Sequence, residues 1–270
     1  MDVIRTTQDW TQASLQTAIV EMRQGETGRR VTLVGMIHVA LASYYDAVNA
    51  LIAEHEAGGG VILYEGLGSL SEDEVNQLSP RERSIYRTLV PLHALYAAFA
   101  ARLDLAFQEK AIHYDRGRWV HADLPLRELL RRWADSGAPM LPLGDLAADK
   151  LNVPEGSFAR GLTGFMLLQT PLMLSAVTHL RGWVRPLARL SELLISDRNR
   201  AALDALEATD PKADAVILYG AGHVPDLIEG LERRGFREAN RRWLTAYTQA
   251  APWRKVVDAV EQFASGPGRR

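Results

Sequence analysis

The sequence contains two copies of a short motif, Gly-x-x-His, and each copy follows an apolar run. The first copy lies in Val31–Val39 and the second in Val216–Pro225. Both runs are short, rich in β-branched residues and closed by glycine, which is typical of strands buried in an α/β sheet. A third run, Gly60–Gly66, repeats the Val-Ile-Leu-Tyr of the second run but ends on Glu65. The three runs predict three strands of one sheet.

The polar residues that follow these strands are His38, Glu65 and His223. Open α/β sheets bind their ligands in a crevice outside the carboxyl ends of the strands, so we expect the three side chains to meet there. Two imidazoles and a carboxylate can hold zinc, manganese, cobalt or iron and thereby activate water. The same residues also allow metal-free chemistry, in which His38 acts as a general base oriented by Glu65.

The order of patterns predicts a single α/β domain over residues 1–270. The stretch 31–66 has the pattern of a βαβ unit, and the second Gly-x-x-His returns the chain to the sheet near residue 214. Helical patterns dominate the region between, about 71–208. We therefore expect a central mixed sheet of two related βαβ-type halves, with a predominantly helical insertion or lid layer between them.

Three local patterns make further predictions about secondary structure. The spacing of apolar residues over Trp10–Gln24 predicts a short amphipathic helix. The helical pattern from Ile85 to Leu105 contains Pro91, which predicts a break near that residue. The alternation within Trp243–Tyr247 predicts a strand that faces a core.

The charge and the cysteine content of the sequence exclude some classes of binding partner and of functional site. The formal net charge is −2 and the arginine pairs are scattered, so we expect no nucleic-acid partner. The sequence contains no cysteine, which excludes disulfides, thiolate nucleophiles and cysteine-ligated metal sites. The start of the chain lacks the pattern of a secretory signal.

The longest apolar stretch, Leu162–Val177, is interrupted by polar residues and proline. It is shorter than the roughly 20 apolar residues that a spanning helix needs, so we expect no spanning membrane segment and a cytoplasmic location. We expect the stretch to pack inside the helical layer. A hydrophobic lid and a homodimer face are the alternatives.

The segment Trp119–Asp123 offers two more candidate ligands. His121 and Asp123 are two positions apart and would project to the same side of an extended strand, where they could complete a metal shell with His38, Glu65 and His223. The alternative makes Asp123 the N-cap of the following helix and His121 a core residue.

The two Gly-x-x-His motifs, Tyr64-Glu65 and the Gly235-Phe236 that follows the second motif together resemble the TraB/GumN/Tiki superfamily. The resemblance covers residues 31–66 and 214–247 well and the helical middle less. The superfamily extends to erythromycin esterases and ChaN-like haem-binding lipoproteins. The resemblance implies an α/β fold of two related halves and, in the Tiki branch, metal-dependent peptidase activity. The resemblance also implies that His38, Glu65 and His223, which match the motif residues of the superfamily, are the functional residues.

The superfamily also tends to have an arginine followed by Asn or Asp on a late helix, and Arg198-Asn199 fits that place. Arg198 could bind a carboxylate or stabilise an oxyanion, and a surface ion pair is the alternative. The sequence departs from the superfamily pattern in two places. Met36-Ile37 stand where many relatives carry small or polar residues, which bears on the floor of the pocket. The usual arginine after Glu65 is missing, which bears on the substrate class.

These observations together predict a metal-dependent hydrolase with a peptide or small-molecule substrate. Among hydrolases they favour a peptidase or amidase. A divalent manganese, cobalt or zinc ion is expected, Glu65 serves as base if it is not a ligand, and Arg198 stabilises developing charge. The alternatives are a metal-free His/Glu hydrolase like the esterases, and a non-catalytic module that binds haem or another ligand, with Tyr64 and Tyr219 as candidate haem ligands.

Overall fold

A mixed β-sheet flanked by helices forms the centre of the computed structural model, which describes residues 2–8, 12–114, 119–138 and 189–250. The predicted fold class, mixed α/β with a central mixed sheet, is confirmed. The strands are β1 Ile4–Gln8, β2 Gln12–Gln24, β3 Arg30–Met36, β4 Val39–Ala40, β5 Val61–Tyr64, β6 Ala106–Phe107, β7 Trp119–His121, β8 Ala215–Gly220 and β9 Phe236–Ala250.

The helices of the described residues lie between β4 and β9 in chain order. A π-helical turn, Glu192–Ser196, leads into α6, and a 3₁₀ turn, Ala221–His223, leads into α7. The helices are α1 Ala42–Ala57, α2 Glu72–Asn76, α3 Pro80–Leu103, α4 Gln108–Ala111, α5 Leu126–Ser136, α6 Asp197–Glu207 and α7 Val224–Arg233.

Four strands of the sheet are parallel and lie in the order β3, β8, β5, β7. Helix α1 connects β3 to β5, yet these two strands do not touch because β8 lies between them. The side chains of β8 from Ala215 to Tyr219 are almost completely buried, as expected for a strand covered on both faces. Since all four strands run the same way, their carboxyl ends share one edge of the sheet.

The long strand β2 corrects the prediction of a helix over Trp10–Gln24, of which residues 12–24 are described. One edge of β2 pairs with β9 along its whole length, and the other edge pairs first with β1 and then with β3, all antiparallel. The apolar spacing that predicted a helix also fits a strand whose two faces are both buried, so periodicity alone could not separate them. The predicted strand around Trp243–Tyr247 is confirmed as part of β9.

Helix α3 continues through Pro91, where a break was predicted. Pro91 is exposed, so water can reach the carbonyl that the missing N–H leaves without a helical partner. Capping boxes start both α2 and α3, formed by Ser71 with Glu74 and by Ser79 with Glu82.

Within the predicted helical region 71–208, the described residues are mainly helical, but Trp119–His121 forms strand β7 of the main sheet. The apolar stretch Leu162–Val177 lies outside the described residues.

Helices α6 and α7 pack closely because α7 carries a glycine at their contact. A Cβ atom at Gly230 would overlap a δ-methyl group of Leu203, which is buried in α6. Overpacking of a core costs about 1–3 kcal/mol, more than the about 1 kcal/mol that alanine gains over glycine inside a helix.

We therefore expect Gly230→Ala to lower the free energy of unfolding, measured by urea titration, by up to about 2 kcal/mol, the difference between the two effects. Leu203→Ala alone should be destabilising because it leaves a cavity. The double variant should be more stable than the sum of the two single effects, because the added methyl group then occupies that cavity. Strict additivity would contradict the proposed contact.

Candidate functional site

The four parallel strands bring the predicted residues to one edge of the sheet. His38 follows β3, Glu65 follows β5, Asp123 follows β7, and His223 follows β8 through the 3₁₀ turn. Glu65, Asp123 and His223 meet around Arg198, which reaches the edge from helix α6. We call these four residues the Arg198 cluster. His38 and His121 lie at the same edge but outside the cluster.

The glycines of the two Gly-x-x-His motifs are required by close packing. A Cβ atom at Gly35 would lie 3.2 Å from the Ala18 carbonyl oxygen and 3.3 Å from the Ala221 Cβ atom. A Cβ atom at Gly220 would lie 3.1 Å from Glu65 Oε2, which accepts a hydrogen bond from the Gly220 N–H. The motif spacing therefore places a histidine just past a point where the backbone must approach its neighbours closely.

Arg198 is the centre of the cluster. Its Nη2 donates to Glu65 Oε1 and to Asp123 Oδ2, each at 2.6 Å, and its Nε donates to Asp123 Oδ1 at 2.9 Å. The remaining nitrogen, Nη1, lies 3.5 Å from His223 Nε2. Burial by itself would lower the pKa of Arg198, but the two carboxylates raise it above its usual range. The guanidinium is a permanent buried cation, and the alternative of a surface ion pair is wrong.

Asp123 holds the guanidinium and the local backbone together. Besides Arg198, its Oδ2 accepts from the Gly66 N–H at 3.0 Å and its Oδ1 accepts from the Leu124 N–H at 2.7 Å. Its side chain is fully buried. The prediction that Asp123 caps the following helix is wrong, because Pro125 holds the cap position of α5 and makes no side-chain cap bond.

Glu65 joins Arg198 to the second Gly-x-x-His motif. Burial by itself would raise the pKa of Glu65, but the charge of Arg198, the neighbouring His223 and the Gly220 N–H lower that pKa to about 2. Glu65 is therefore ionised at neutral pH. Its hydrogen bonds go to Arg198 and Gly220, so it does not orient His38 through a hydrogen bond, as the metal-free alternative expected.

The tautomer of His223 is fixed by Asn199. Asn199 Nδ2 donates to the His223 carbonyl oxygen at 3.2 Å, which turns the amide oxygen toward the ring, 2.7 Å from Nδ1. Since an amide oxygen only accepts, Nδ1 carries the proton and Nε2 presents a lone pair to Arg198 and Glu65. Burial lowers the pKa of His223 to about 4; Glu65 opposes this shift and Arg198 adds to it.

His38 is the accessible imidazole of the site. The residue is exposed, and its ring contacts Tyr96 of α3, with the ring centroids 4.6 Å apart. Its carbonyl oxygen accepts from the Gln108 N–H at 2.8 Å, which fixes the loop. Desolvation lowers the pKa of His38; Glu65 opposes this shift and Arg198 adds to it.

His121 is separate from the Arg198 cluster. Its Nε2 atom lies against the Gly66 carbonyl oxygen, and its ring contacts Tyr64 edge-on at 5.5 Å between centroids. The residue is exposed, so the alternative of a core residue is wrong. Because β7 ends at His121, the side-chain alternation of the strand does not extend to Asp123. Both side chains nevertheless contact Gly66, His121 at its carbonyl oxygen and Asp123 at its N–H.

Sequence reasoning gave no role to Asn199 or Tyr96. Asn199 was named only as the neighbour of Arg198, and its contact with His223 needs the packing of α6 against the 3₁₀ turn. Tyr96 carries no sequence signal, since only the placement of α3 brings it to His38.

The predicted metal ligands do not fit a metal ion in the arrangement described. Glu65 and Asp123 direct their oxygens at the Arg198 guanidinium and at backbone N–H groups. The imidazole of His223, which faces them, also lies beside that cation. In the described ranges, no three His, Asp or Glu side chains are grouped so that they could hold a metal ion. The predicted metal centre stays a prediction.

Comparison of the chain with known protein-family models matched none of them, and comparison with curated proteins gave no significant match. Each helix within the described ranges is too short or too polar to cross a lipid bilayer.

The low pKa of His223 predicts a loss of stability in mild acid. Between about pH 6.5 and pH 4 the unfolded chain binds a proton at this residue and the folded chain does not, so the free energy of unfolding falls as pH falls through this window. The full shift, from 6.5 to about 4, corresponds to an effect on the order of 3 kcal/mol. Glu65 continues the trend below 4.5 because its folded pKa is also lowered.

Urea unfolding at about pH 7 and about pH 5 measures this effect. His223→Gln should lose part of the difference between the two pH values, whereas the exposed His113→Ala should keep it. Equal pH dependence in wild type and His223→Gln would contradict the assignment. An NMR titration of the histidine ring protons in the wild-type protein gives the same pKa directly.

Proposed function

We propose that this protein is a hydrolase that cleaves an ester or amide bond by general-base catalysis, with His38 as the base. The observation that carries the proposal is an accessible, neutral imidazole beside an ionised carboxylate and a guanidinium, all at the carboxyl ends of parallel strands. This edge is where α/β sheets place their ligands.

His38 has the properties that a base for water requires. A substrate can reach it because the ring is exposed, and its lowered pKa keeps it unprotonated at neutral pH. Tyr96 supports one face of the ring. When the base accepts a proton from water, the negative charge of Glu65 stabilises the resulting imidazolium; the same interaction already raises the pKa of His38 against desolvation.

The Arg198 cluster supplies fixed charge next to this base. Nη1 is the least engaged nitrogen of Arg198, since its contact is the 3.5 Å approach to His223, and it is therefore the N–H group best able to donate to a substrate oxygen. The side chains of Glu65 and Arg198 are 16% and 9% exposed, so a substrate could contact only the small part of each that reaches the surface. Because Asp123 and Glu65 hold the guanidinium in place, it needs no reorganisation during the reaction.

This proposal places the chain near the esterase branch of the TraB/GumN/Tiki superfamily that its motifs resemble. The engagement of Glu65 and Asp123 by Arg198 favours the metal-free alternative over the metal-dependent peptidase, and sensitivity to chelators separates the two. The buried Tyr219 hydroxyl donates to the Ala122 carbonyl oxygen and does not favour haem ligation. The peptide or small-molecule substrate, the homodimer and the cytoplasmic location stay predictions.

A screen with chromogenic esters and peptide amides tests the proposal. His38→Ala should lower kcat/KM by about 10²-fold or more, the typical contribution of a positioned base. His113→Ala, which changes an exposed histidine outside the site, should leave the rate unchanged. A chelator should also leave it unchanged. Full activity in His38→Ala would refute the role of the base, and loss of activity with chelator would favour the metal-dependent alternative.

The pH profile of the wild-type enzyme gives an independent test. Since desolvation lowers the pKa of His38 below 6.5, kcat/KM should rise with pH on the acid side, with its half-maximal point below pH 6.5. A half-maximal point above 6.5 would contradict the assignment of His38 as the base.

A further inference from the structure

We infer that the Arg198 guanidinium occupies the position at which Glu65, Asp123 and His223 would otherwise bind a divalent metal ion, so that removing this side chain creates a metal site. The inference goes beyond the proposed function and does not depend on turnover. Its readout is metal binding, so it can fail while the hydrolase proposal stands, and the reverse also holds.

The first support is the convergence of donors on one cation. Two carboxylate oxygens, one each from Glu65 and Asp123, lie 2.6 Å from the same nitrogen, Nη2 of Arg198. His223 Nε2 lies 3.5 Å from the adjacent Nη1. Two carboxylates and a neutral imidazole form a donor set that zinc, cobalt and manganese bind readily.

The second support is the spacing between donors. His223 Nε2 and Glu65 Oε1 are 3.6 Å apart. Neighbouring ligands of a tetrahedral ion with bonds of about 2.0–2.1 Å are roughly 3.3 Å apart. A shift of a few tenths of an ångström would therefore bring these two atoms to ligand spacing. Such a shift is available when the larger guanidinium no longer separates them.

The third support is the lone pair of His223. Asn199 fixes the proton on Nδ1, so Nε2 is already in the form that binds a metal. A hydrogen bond on the second ring nitrogen is the usual support of a metal-bound histidine.

The fourth support is charge. Arg198 balances one of the two ionised carboxylates, and its removal would leave Glu65 and Asp123 as two uncompensated charges in a mostly buried site. Unpaired buried charge is strongly destabilising. A divalent cation would restore the balance, so the site without arginine should be unstable alone and should favour a dication.

The experiment compares the metal content of wild type and Arg198→Ala, produced without a histidine tag and dialysed against Mn²⁺, Co²⁺ or Zn²⁺. We expect Arg198→Ala to retain about one ion per chain, to show the visible absorption of bound Co²⁺, and to gain thermal stability on metal addition. Wild type should retain much less metal and show little change in melting temperature.

Arg132 provides a matched control. It also pairs with two carboxylates, donating from Nε to Glu128 at 2.7 Å and from Nη1 to Asp197 at 3.0 Å, but the Arg132 and Glu128 side chains are more than a quarter exposed. Arg132→Ala should therefore gain no metal. The variant Arg198→Ala with His223→Ala should lose the metal that Arg198→Ala binds.

When Arg198→Ala folds, two results would overturn the inference. One is near-stoichiometric metal in wild type that His223→Ala abolishes, because the ion would then bind with Arg198 present. The other is folded Arg198→Ala that retains no metal. If repulsion prevents Arg198→Ala from folding, Arg198→Ala with Asp123→Asn removes one charge and keeps Glu65 and His223 as ligands. This variant should bind metal more weakly than Arg198→Ala with its three ligands, but more tightly than wild type. Metal binding no tighter than that of wild type would also overturn the inference.

Discussion

One guanidinium holds together three parts of the chain that are distant in sequence. Arg198 extends from helix α6 to Glu65 beyond β5 and Asp123 beyond β7, and it contacts His223 beyond β8. The strands alone bring these backbone segments to one edge, but three polar side chains would not stay close without a group that compensates the carboxylate charge. Because both carboxylates also accept backbone N–H groups, Arg198 fixes the loops as well as the side chains.

The two histidines of the repeated motif serve different purposes although their sequence contexts match. His223 is buried, held by Asn199 and kept neutral, so it belongs to the fixed wall of the crevice. His38 is exposed, is supported by an aromatic face and has no bond to the Arg198 cluster. The difference arises from the strand positions: β8 lies between two parallel neighbours, whereas β3 borders the antiparallel part of the sheet.

The sequence allowed the edge position of the strand-end residues to be predicted because parallel strands bring their carboxyl ends to one edge of the sheet, but it did not show that His38 stays outside the Arg198 cluster. Once β3, β5 and β8 are recognised as parallel strands, His38, Glu65 and His223 must lie at one edge. The role of Asp123 could not be derived, because its partner comes from a helix whose docking has no local signal. The helix predicted over Trp10–Gln24 was wrong since β2 buries both of its faces, which removes the alternation that marks a half-exposed strand.

The position of β8 between β3 and β5 also determines when, during synthesis, the site at the strand ends can form. The chain completes β3, α1 and β5 early, but these two parallel strands have no direct pairing with each other. Their common neighbour is synthesised about 150 residues later, with the second motif, so pairing across this part of the sheet involves contacts of large sequence separation. During synthesis the first half of the protein therefore exposes two apolar strand edges until β8 inserts, which makes the nascent chain dependent on protection from aggregation at this stage.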